Sequence, residues 1–384
     1  MIAPEKKIMI ITGEVSGDLI GAALIRELKV LNPNLQIQGI GGDKMQNEGM
    51  NITYHSDRMA FLGFVEVVKH LPFIRKVQAK LIDVVKNEKI KSVVLIDYPG
   101  FNLSIAKKFK KLGVKVIYYV SPQIWAWAKG RIKKVKKYVD KMLVVFPFEV
   151  EFYRKGNINV EYVGHPLPER VNRYKFLSRD ELYKKFKLDA EKKILLVMPG
   201  SRKHEVKEIF PEAIKAAGRL SKDFNLQIVV ARSKNIEENY LRSIAVNENF
   251  VAVEGFNYEL MKYSRFGIIK SGTSTLEAGF FELPMVIVYK TSPLTYSIGK
   301  RLVRLDKIGM VNILLEDRVV PELIQNKAVS ENIYQEASKI LSDDRLYENT
   351  KRKLAQVKDK LGSDGASMKA AKIISEILNE PEKI

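Results

Sequence analysis

Short, continuously apolar runs, each ending in a turn and leading into a helical pattern, recur along the 384-residue chain and constrain its fold more than any other feature. A run such as Ser92-Val93-Val94-Leu95-Ile96 does not alternate polar with apolar residues. As a strand it needs cover on both faces, which is the environment of a parallel sheet flanked by helices. In the first half the pattern predicts strands over 7–12, 36–40, 92–96, 115–120, 141–146 and 160–163, with helices over 18–31 and 102–112. Alternation of this kind implies βα units and a parallel sheet. The stretch Gly164-His165-Pro166-Leu167-Pro168 breaks every regular pattern and reads as a hinge. A charged helix over 179–188 then opens a second alternating block, with strands near 193–198, 226–230, 250–253, 266–269 and 285–289, and a helical tail beyond Ser330 whose last amphipathic piece covers about 367–378. The expected fold class is α/β, with two Rossmann-like, doubly wound domains facing across a cleft. The length fits two domains of average size. Their expected extents are 1–168, 169–345 and a final helical segment, 346–384, packing back on the first.

In doubly wound sheets, ligands bind outside the carboxyl ends of the strands, so the turns there are where chemistry is sought. Lys270-Ser271-Gly272-Thr273-Ser274-Thr275-Leu276-Glu277-Ala278 places a hydroxyl-rich glycine turn between the run ending at Ile269 and a helical pattern that continues beyond Phe280. Free N–H groups and a positive dipole end at such a helix start suit a phosphate, and an ordinary N-cap fits the same residues. Glu277, read in the first turn, suits either the helix terminus or a ribose diol. The run 193–198 likewise enters Pro199-Gly200-Ser201-Arg202, followed by a helical pattern from Glu205. Arg202 offers a fixed cationic fork for a diphosphate, and a solvated surface arginine fits as well. No GxxxxGK[ST] loop occurs, which disfavours phosphoryl transfer of the usual ATPase kind.

In the first half, Gly13-Glu14-Val15-Ser16-Gly17-Asp18 and Gly39-Ile40-Gly41-Gly42-Asp43 follow the first two strands. They fit tight turns with an Asp cap and substrate-binding loops equally. Asp97, in Ile96-Asp97-Tyr98-Pro99-Gly100-Phe101-Asn102, ends a buried central strand, where an unused carboxylate is costly. It is the candidate general base, with capping of the following turn as the plain alternative. The four histidines show no metal-ligand spacing, and no GxSxG elbow occurs. His165 reads as a structural group or a hydrogen-bond donor at the cleft.

The formal net charge of +20 points to a polyanionic partner or an anionic surface, nucleic acid and acidic lipid both qualifying. Both tryptophans, Trp125 and Trp127, lie beside a basic run at 129–137, and the greasy segment around Phe61 and Phe64 ends in basic residues. These segments fit an interfacial anchor or acyl contact, and a core helix suits the second equally. No stretch approaches a membrane span, and the first apolar run is too short for a signal core, so a cytoplasmic chain is expected. The absence of cysteine excludes disulfides and cysteine-ligated zinc.

Taken in order, seven motifs resemble the lipid A disaccharide synthase family of GT-B inverting glycosyltransferases: Gly13 to Asp18, Ile96 to Asn102, Tyr119 to Trp127, Val163 to Pro166, Pro199 to Arg202, Ser271 to Ala278 and Met310 to Leu314. The likeness spans nearly the whole chain, with Val15 and Ser274 standing where the family commonly has Ala. It implies transfer of 2,3-diacylglucosamine from its UDP form to the 6-hydroxyl of 2,3-diacylglucosamine 1-phosphate, giving a β-1,6 disaccharide and UDP with no metal or other cofactor. In this resemblance Asp97 is the base with Glu14 beside it. Ser201, Arg202 and the amides near Gly272, Thr273, Ser274 and Thr275 hold the diphosphate. Glu277 binds the ribose, Asn312 lines the nucleotide pocket, and Ser16, Asp18 and His165 face the acceptor. The family also implies peripheral association with an anionic membrane, the inner membrane, through Phe61, Phe64, Trp125 and Trp127, and a homodimer. A UDP-GlcNAc 2-epimerase and the peptidoglycan-precursor transferase share the architecture and remain rivals. A nucleic-acid-binding module finds no recognised motif.

Overall fold

The computed structural model describes residues 6–59, 70–122, 124, 129–291, 296 and 307–380. Among them the chain forms two compact units. The first comprises the described residues up to Glu169 and those from Leu361 onward, and the described residues between Arg170 and Lys360 form the second.

The first unit holds a sheet of β1 (Lys7–Ile11), β2 (Gln36–Gly41), β3 (Asn51–His55), β4 (Ser92–Ile96), β5 (Lys115–Tyr119), β6 (Lys141–Val144) and β7 (Val160–Tyr162), in the order β3-β2-β1-β4-β5-β6-β7. Every neighbouring pair is parallel. All five residues of β4 are buried, as its unbroken apolar run requires. On one face Val93, Leu95, Val116 and Tyr118 pack with Leu81 of the helix Leu71–Asn87 and Phe109 of the helix Pro99–Lys111. Full burial of each such side chain stabilises by roughly 1.5–3 kcal/mol.

The second unit repeats this plan with β8 (Lys193–Met198), β9 (Leu226–Arg232), β10 (Val251–Glu254), β11 (Ser264–Lys270), β12 (Met285–Tyr289) and β13 (Glu322–Ile324), in the order β10-β9-β8-β11-β12-β13. These pairs too are parallel. In both sheets the winding reverses beside the first strand, so each has a topological switch point: between β1 and β4 in one, between β8 and β11 in the other. The register Ile11↔Leu95 brings the turns after β1 and β4 side by side, and Met198↔Ile269 does the same for those after β8 and β11.

The fold departs from the sequence reading in several places, each with a physical reason. Strand β3 has no fully buried residue and no continuous apolar run, and β13 is only three residues long, so neither produced a signal. Helices begin earlier than expected where a proline occupies the first turn, as at Pro99. The expected hinge is helical from Pro166 to Asn172, with Gly164 before it in the left-handed region at φ 95°. The helix after β11 runs from Thr273 to Phe280 and stops there, which puts Glu277 beyond its first turn. The final segment is not one piece: the helix Asp344–Leu361 stays with the second unit up to Lys360, whereas the helix Ala366–Asn379 belongs to the first. In that first unit the buried Glu169 carboxylate accepts the Ser367 amide at 3.1 Å, and Ala366 comes within 3.5 Å of where a Gly164 Cβ would lie.

Candidate active site

At the switch point of the first sheet, β4 ends in two consecutive residues in the left-handed region, Asp97 at φ 45° and Tyr98 at φ 48°. Non-glycine residues there cost about 1–3 kcal/mol each and persist only where neighbours hold them. The neighbours are specific. Asn102, fully buried, donates its Nδ2 to the carbonyls of Ile96 at 3.2 Å and Asp97 at 2.7 Å. The Tyr118 hydroxyl donates to the Asp97 carbonyl at 2.5 Å, and the Asp97 amide donates to Tyr119 across the sheet. The Tyr98 hydroxyl donates to the Met59 carbonyl at 2.6 Å, and its ring stacks on Phe101. Gly13 is required opposite, because a Cβ there would lie 2.5 Å from the Tyr98 ring.

Glu14 follows Gly13 as the N-cap of the helix Val15–Leu31. Burial raises the Asp97 carboxyl, the like charge of Glu14 raises it further, and the pKa is pushed up to about 7 against a backbone hydrogen bond at Tyr98. A carboxyl that titrates near neutrality at a sheet switch point is suited to accept a proton. A third acid, Glu149, also raises Asp97. It is buried, accepts the Ser121 hydroxyl and takes the Phe146 amide at 3.1 Å. The sequence reading passed over Glu149, whose only signal is its place in the first turn of the helix after β6.

Other expected cleft residues in this unit have internal partners. The Asp18 carboxylate accepts the amides of Gly42 at 2.7 Å, Lys44 at 3.1 Å and Met45 at 3.1 Å, so it caps the short helix Asp43–Asn47 from a remote element. Three helix-terminal amides give its lone pairs a structural use of their own. His165 is buried, accepts the Leu167 amide on Nδ1 at 3.1 Å and packs on Phe146, which fixes the proton on Nε2 in the neutral ring. Ser16 lies in the first turn of the helix Val15–Leu31. Phe61, Phe64, Trp125 and Trp127 lie outside the described residues. Among the described residues no group of three or more His, Asp or Glu side chains is arranged to hold a metal ion.

At the second sheet's switch point, Gly200 takes φ 119°, and a Cβ there would lie 2.6 Å from Glu205 Oε2. Glu205 gathers the loop: it accepts the Ser201 amide at 3.1 Å, Arg202 Nη1 at 3.3 Å and Lys270 Nζ at 2.8 Å. Burial alone would raise this carboxyl, but the charges of Lys270 and Arg202 outweigh it and hold the pKa below the usual range. Neither Glu205 nor Lys270 was singled out from sequence, since their meeting depends on β8 and β11 being neighbours.

Beyond Lys270, Ser271 is buried and donates to the Ile308 carbonyl at 3.0 Å, and Gly272 is the N-cap of the helix Thr273–Phe280. No side chain caps that helix. Thr275 turns its hydroxyl back to the Gly272 carbonyl at 2.8 Å, and Ser274 lies with Thr273 in the opening turn. Such an end favours an anion. Glu277 instead meets Arg170 Nη2 at 2.9 Å in a largely buried ion pair. Its carboxyl is raised by burial, a shift that Arg170 opposes. Asn312 is fully buried with both amide groups bonded: Nδ2 to the Val320 carbonyl and Glu322 at 2.8 and 2.9 Å, Oδ1 to the Val320 amide at 3.2 Å. Asn312 ties down the helix Met310–Leu315, whose approach Glu322 also holds by accepting the Ile308 and Gly309 amides.

The model of the lipid-A-disaccharide synthetase family matches residues 8–377. The chain belongs to the lipid-A-disaccharide synthase family. Lipid-A-disaccharide synthases from Geobacter metallireducens and Coxiella burnetii are 41% and 37% identical to it, over 98% and 97% of this chain and 99% of each relative. That of Myxococcus xanthus is 34% identical over 97% of both chains. Family membership makes the chain an enzyme, a glycosyltransferase of lipid A and lipopolysaccharide biosynthesis. Among solved structures, the S. aureus MnaA-UDP co-structure aligns with TM-score 0.71 at 16% identity, covering 97% of each chain. The calicheamicin glycosyltransferase CalG4 aligns with TM-score 0.60 at 13% identity, covering 98% of this chain and 99% of that one. At such identities the likeness is one of fold. It agrees with the repeated strand order described above.

Proposed function

We propose that this synthase transfers 2,3-diacylglucosamine from its UDP form to the 6-hydroxyl of 2,3-diacylglucosamine 1-phosphate. Asp97 removes the hydroxyl proton as the acceptor oxygen bonds to the donor's anomeric carbon. The bond from that carbon to the diphosphate breaks on the opposite side, and UDP leaves with the electron pair, which inverts the anomeric centre. The observation that carries this reading is Asp97 itself: a carboxyl raised to about 7, pinned by Asn102 and Tyr118 at a sheet switch point. A positioned base of this kind typically supplies roughly 100- to 10,000-fold in rate. Arg202, Ser201 and the first-turn amides of the helix Thr273–Phe280 hold the departing diphosphate, in keeping with the uncapped helix end and the cationic loop. Glu277, with one oxygen on Arg170, turns the other to the ribose. Glu14 keeps the Asp97 carboxyl basic, and Ser16 lies toward the acceptor.

The decisive experiment incubates the protein with acylated donor and acceptor in detergent and EDTA. A disaccharide 1-phosphate is expected, and its loss in Asp97→Asn with UDP binding intact identifies the base. Formation of the manno epimer from UDP-GlcNAc with no disaccharide would overturn the assignment in favour of an epimerase.

Substrates of this kind reside in a bilayer. No helix among the described residues is long and apolar enough to cross a membrane. The +20 net charge supports peripheral binding to an anionic leaflet, the inner membrane, through the segments bearing Phe61, Phe64, Trp125 and Trp127. Sedimentation with anionic vesicles at rising salt tests this, and release indifferent to salt would exclude it. A homodimer, proposed from the resemblance, is tested by sedimentation equilibrium.

A further inference from the structure

Strand β5 ends beside the base in a strained turn of its own. Val120, the residue after β5, sits in the left-handed region at φ 60°, which a β-branched side chain adopts only where its surroundings impose it. The register Ile96↔Tyr119 sets this turn next to the one that carries Asp97, whose amide donates to the Tyr119 carbonyl at 3.2 Å. Two side chains of the helix Pro147–Lys155 hold the β5 turn down. The Tyr153 hydroxyl donates to the Pro122 carbonyl at 3.0 Å, and Glu149 Oε1 accepts the Ser121 hydroxyl. Capping of its own helix uses the other oxygen, Oε2, which takes the Phe146 amide at 3.1 Å. Local capping does not explain the reach to Ser121, 28 residues earlier in the chain. Both Glu149 oxygens accept donors, the pattern of an ionised carboxylate, although the residue is only 1% exposed. A charge kept in so enclosed a place is costly unless something uses it.

We propose that Glu149 is a positioning residue for the transfer: through Ser121 it holds the β5 turn against the turn of Asp97, and it supplies a fixed negative charge that the base feels. This deepens the reading of Asp97 as the base and rests on it. The groups that bear on the Asp97 carboxyl come from several elements: Glu14 at the start of the helix Val15–Leu31, Tyr98 on its own turn and Glu149. Tyr118 of β5 meets the Asp97 carbonyl, and Tyr153 and Arg131 act in turn on Tyr118. Burial is the main reason that Asp97 titrates at about 7, Glu14 comes next, and Glu149 adds a smaller push in the same direction. Glu149 thus acts through Asp97, because a carboxylate that holds its proton more firmly is the stronger base.

The test measures the pH dependence of disaccharide formation by the full chain, with acylated donor and acceptor in detergent and circular dichroism to confirm folding. A wild-type base titrating at about 7 leaves about one-tenth of the plateau rate at pH 6. Glu149→Gln keeps polar atoms for Phe146 and Ser121, whose hydroxyl can rotate to accept, and removes only the charge. Its acid limb is expected to move to lower pH, so that the share of plateau rate kept at pH 6 rises several-fold while the plateau itself falls. Ser121→Ala keeps the charge and cuts the tether. Its plateau turnover is expected to fall by roughly 10-fold, the effect of a displaced base, with the acid limb in place. An unmoved limb in folded Glu149→Gln shows that the base does not feel this charge, and wild-type turnover in Ser121→Ala shows that the tether positions nothing. Glu149→Gln that fails to fold beside a fully active Ser121→Ala makes Glu149 a helix cap and no more. Asp97→Asn that keeps its turnover overturns the base reading itself, whatever the other two variants do.

Discussion

Asn102 donates its side-chain amide at 2.7 Å to the backbone carbonyl of Asp97, five residues earlier in the chain. It reaches the Ile96 carbonyl at 3.2 Å as well, so one buried side chain holds the backbone where β4 turns through two left-handed residues. Asn102→Ala should leave the Ile96 carbonyl without this partner and slacken the Asp97 turn. A loss of about 1–3 kcal/mol is expected for an unsatisfied buried acceptor, read from the urea midpoint. Turnover should fall further than stability alone explains, because the base moves with the turn.

The elevated Asp97 pKa has two consequences of opposite practical sign. Activity that needs the deprotonated carboxylate should rise with pH through about 7. Glu14→Gln removes a like charge, lowers the Asp97 pKa and should shift that acid limb downward. For stability, the folded protein holds this proton more tightly than the unfolded chain does. Protonated Asp97 is therefore tolerated at low pH, and stability is lost as pH climbs from the ordinary value of 3.8 through about 7. Asp97→Asn should accordingly be more stable than wild type at pH 8, with the gap closing as pH falls toward 4, in paired denaturation curves. A gap independent of pH would mean that the carboxyl is not perturbed.

Asp18 separates a cap from a substrate ligand. Its three accepted amides belong to Gly42, Lys44 and Met45, at the start of the helix Asp43–Asn47. Asp18→Ala should destabilise by roughly 1–2 kcal/mol, the usual range for losing a cap, while the folded fraction keeps its acceptor KM. A raised KM with an unchanged melting temperature would reverse that assignment.

Much of this architecture is legible in the residues. Strands buried on both faces announce themselves as unbroken apolar runs, and β4 and β8 are the clearest. The turns at their carboxyl ends carry Asp97 and Arg202, so two strong candidates follow once a doubly wound sheet is expected. What sequence does not supply is partnership between distant positions. Asp18 reads as a local cap until the helix Asp43–Asn47 packs against it, and Asn312 reads as polar until Val320 and Glu322 enclose it. Glu205 and Lys270 are 65 residues apart and become neighbours only because β8 pairs with β11. Arg170 lies just beyond the run read as a hinge, and nothing near it in sequence marks Glu277 as its partner.

That Arg170–Glu277 pair gives the last prediction. Both side chains are largely enclosed, at 14% and 16% exposed, and their charged groups lie 2.9 Å apart. Burial pushes the Glu277 carboxyl upward and Arg170 opposes it, so the carboxylate depends on the arginine for its charge. Arg170→Met should therefore cost about 3–5 kcal/mol, the penalty for stranding one member of a buried pair, unless Glu277 takes up a proton. Because protonation relieves the penalty, the destabilisation should be largest at alkaline pH and shrink on acidification. Arg170→Met combined with Glu277→Leu removes both charges and should recover much of the loss, giving a coupling energy well above that of an exposed pair, which is about 0–1 kcal/mol. UDP affinity supplies the functional reading. If the other Glu277 oxygen accepts the ribose diol, Glu277→Gln, measured on the folded fraction, should weaken UDP more than 2′-deoxy-UDP, and equal weakening of the two nucleotides would place the ribose elsewhere.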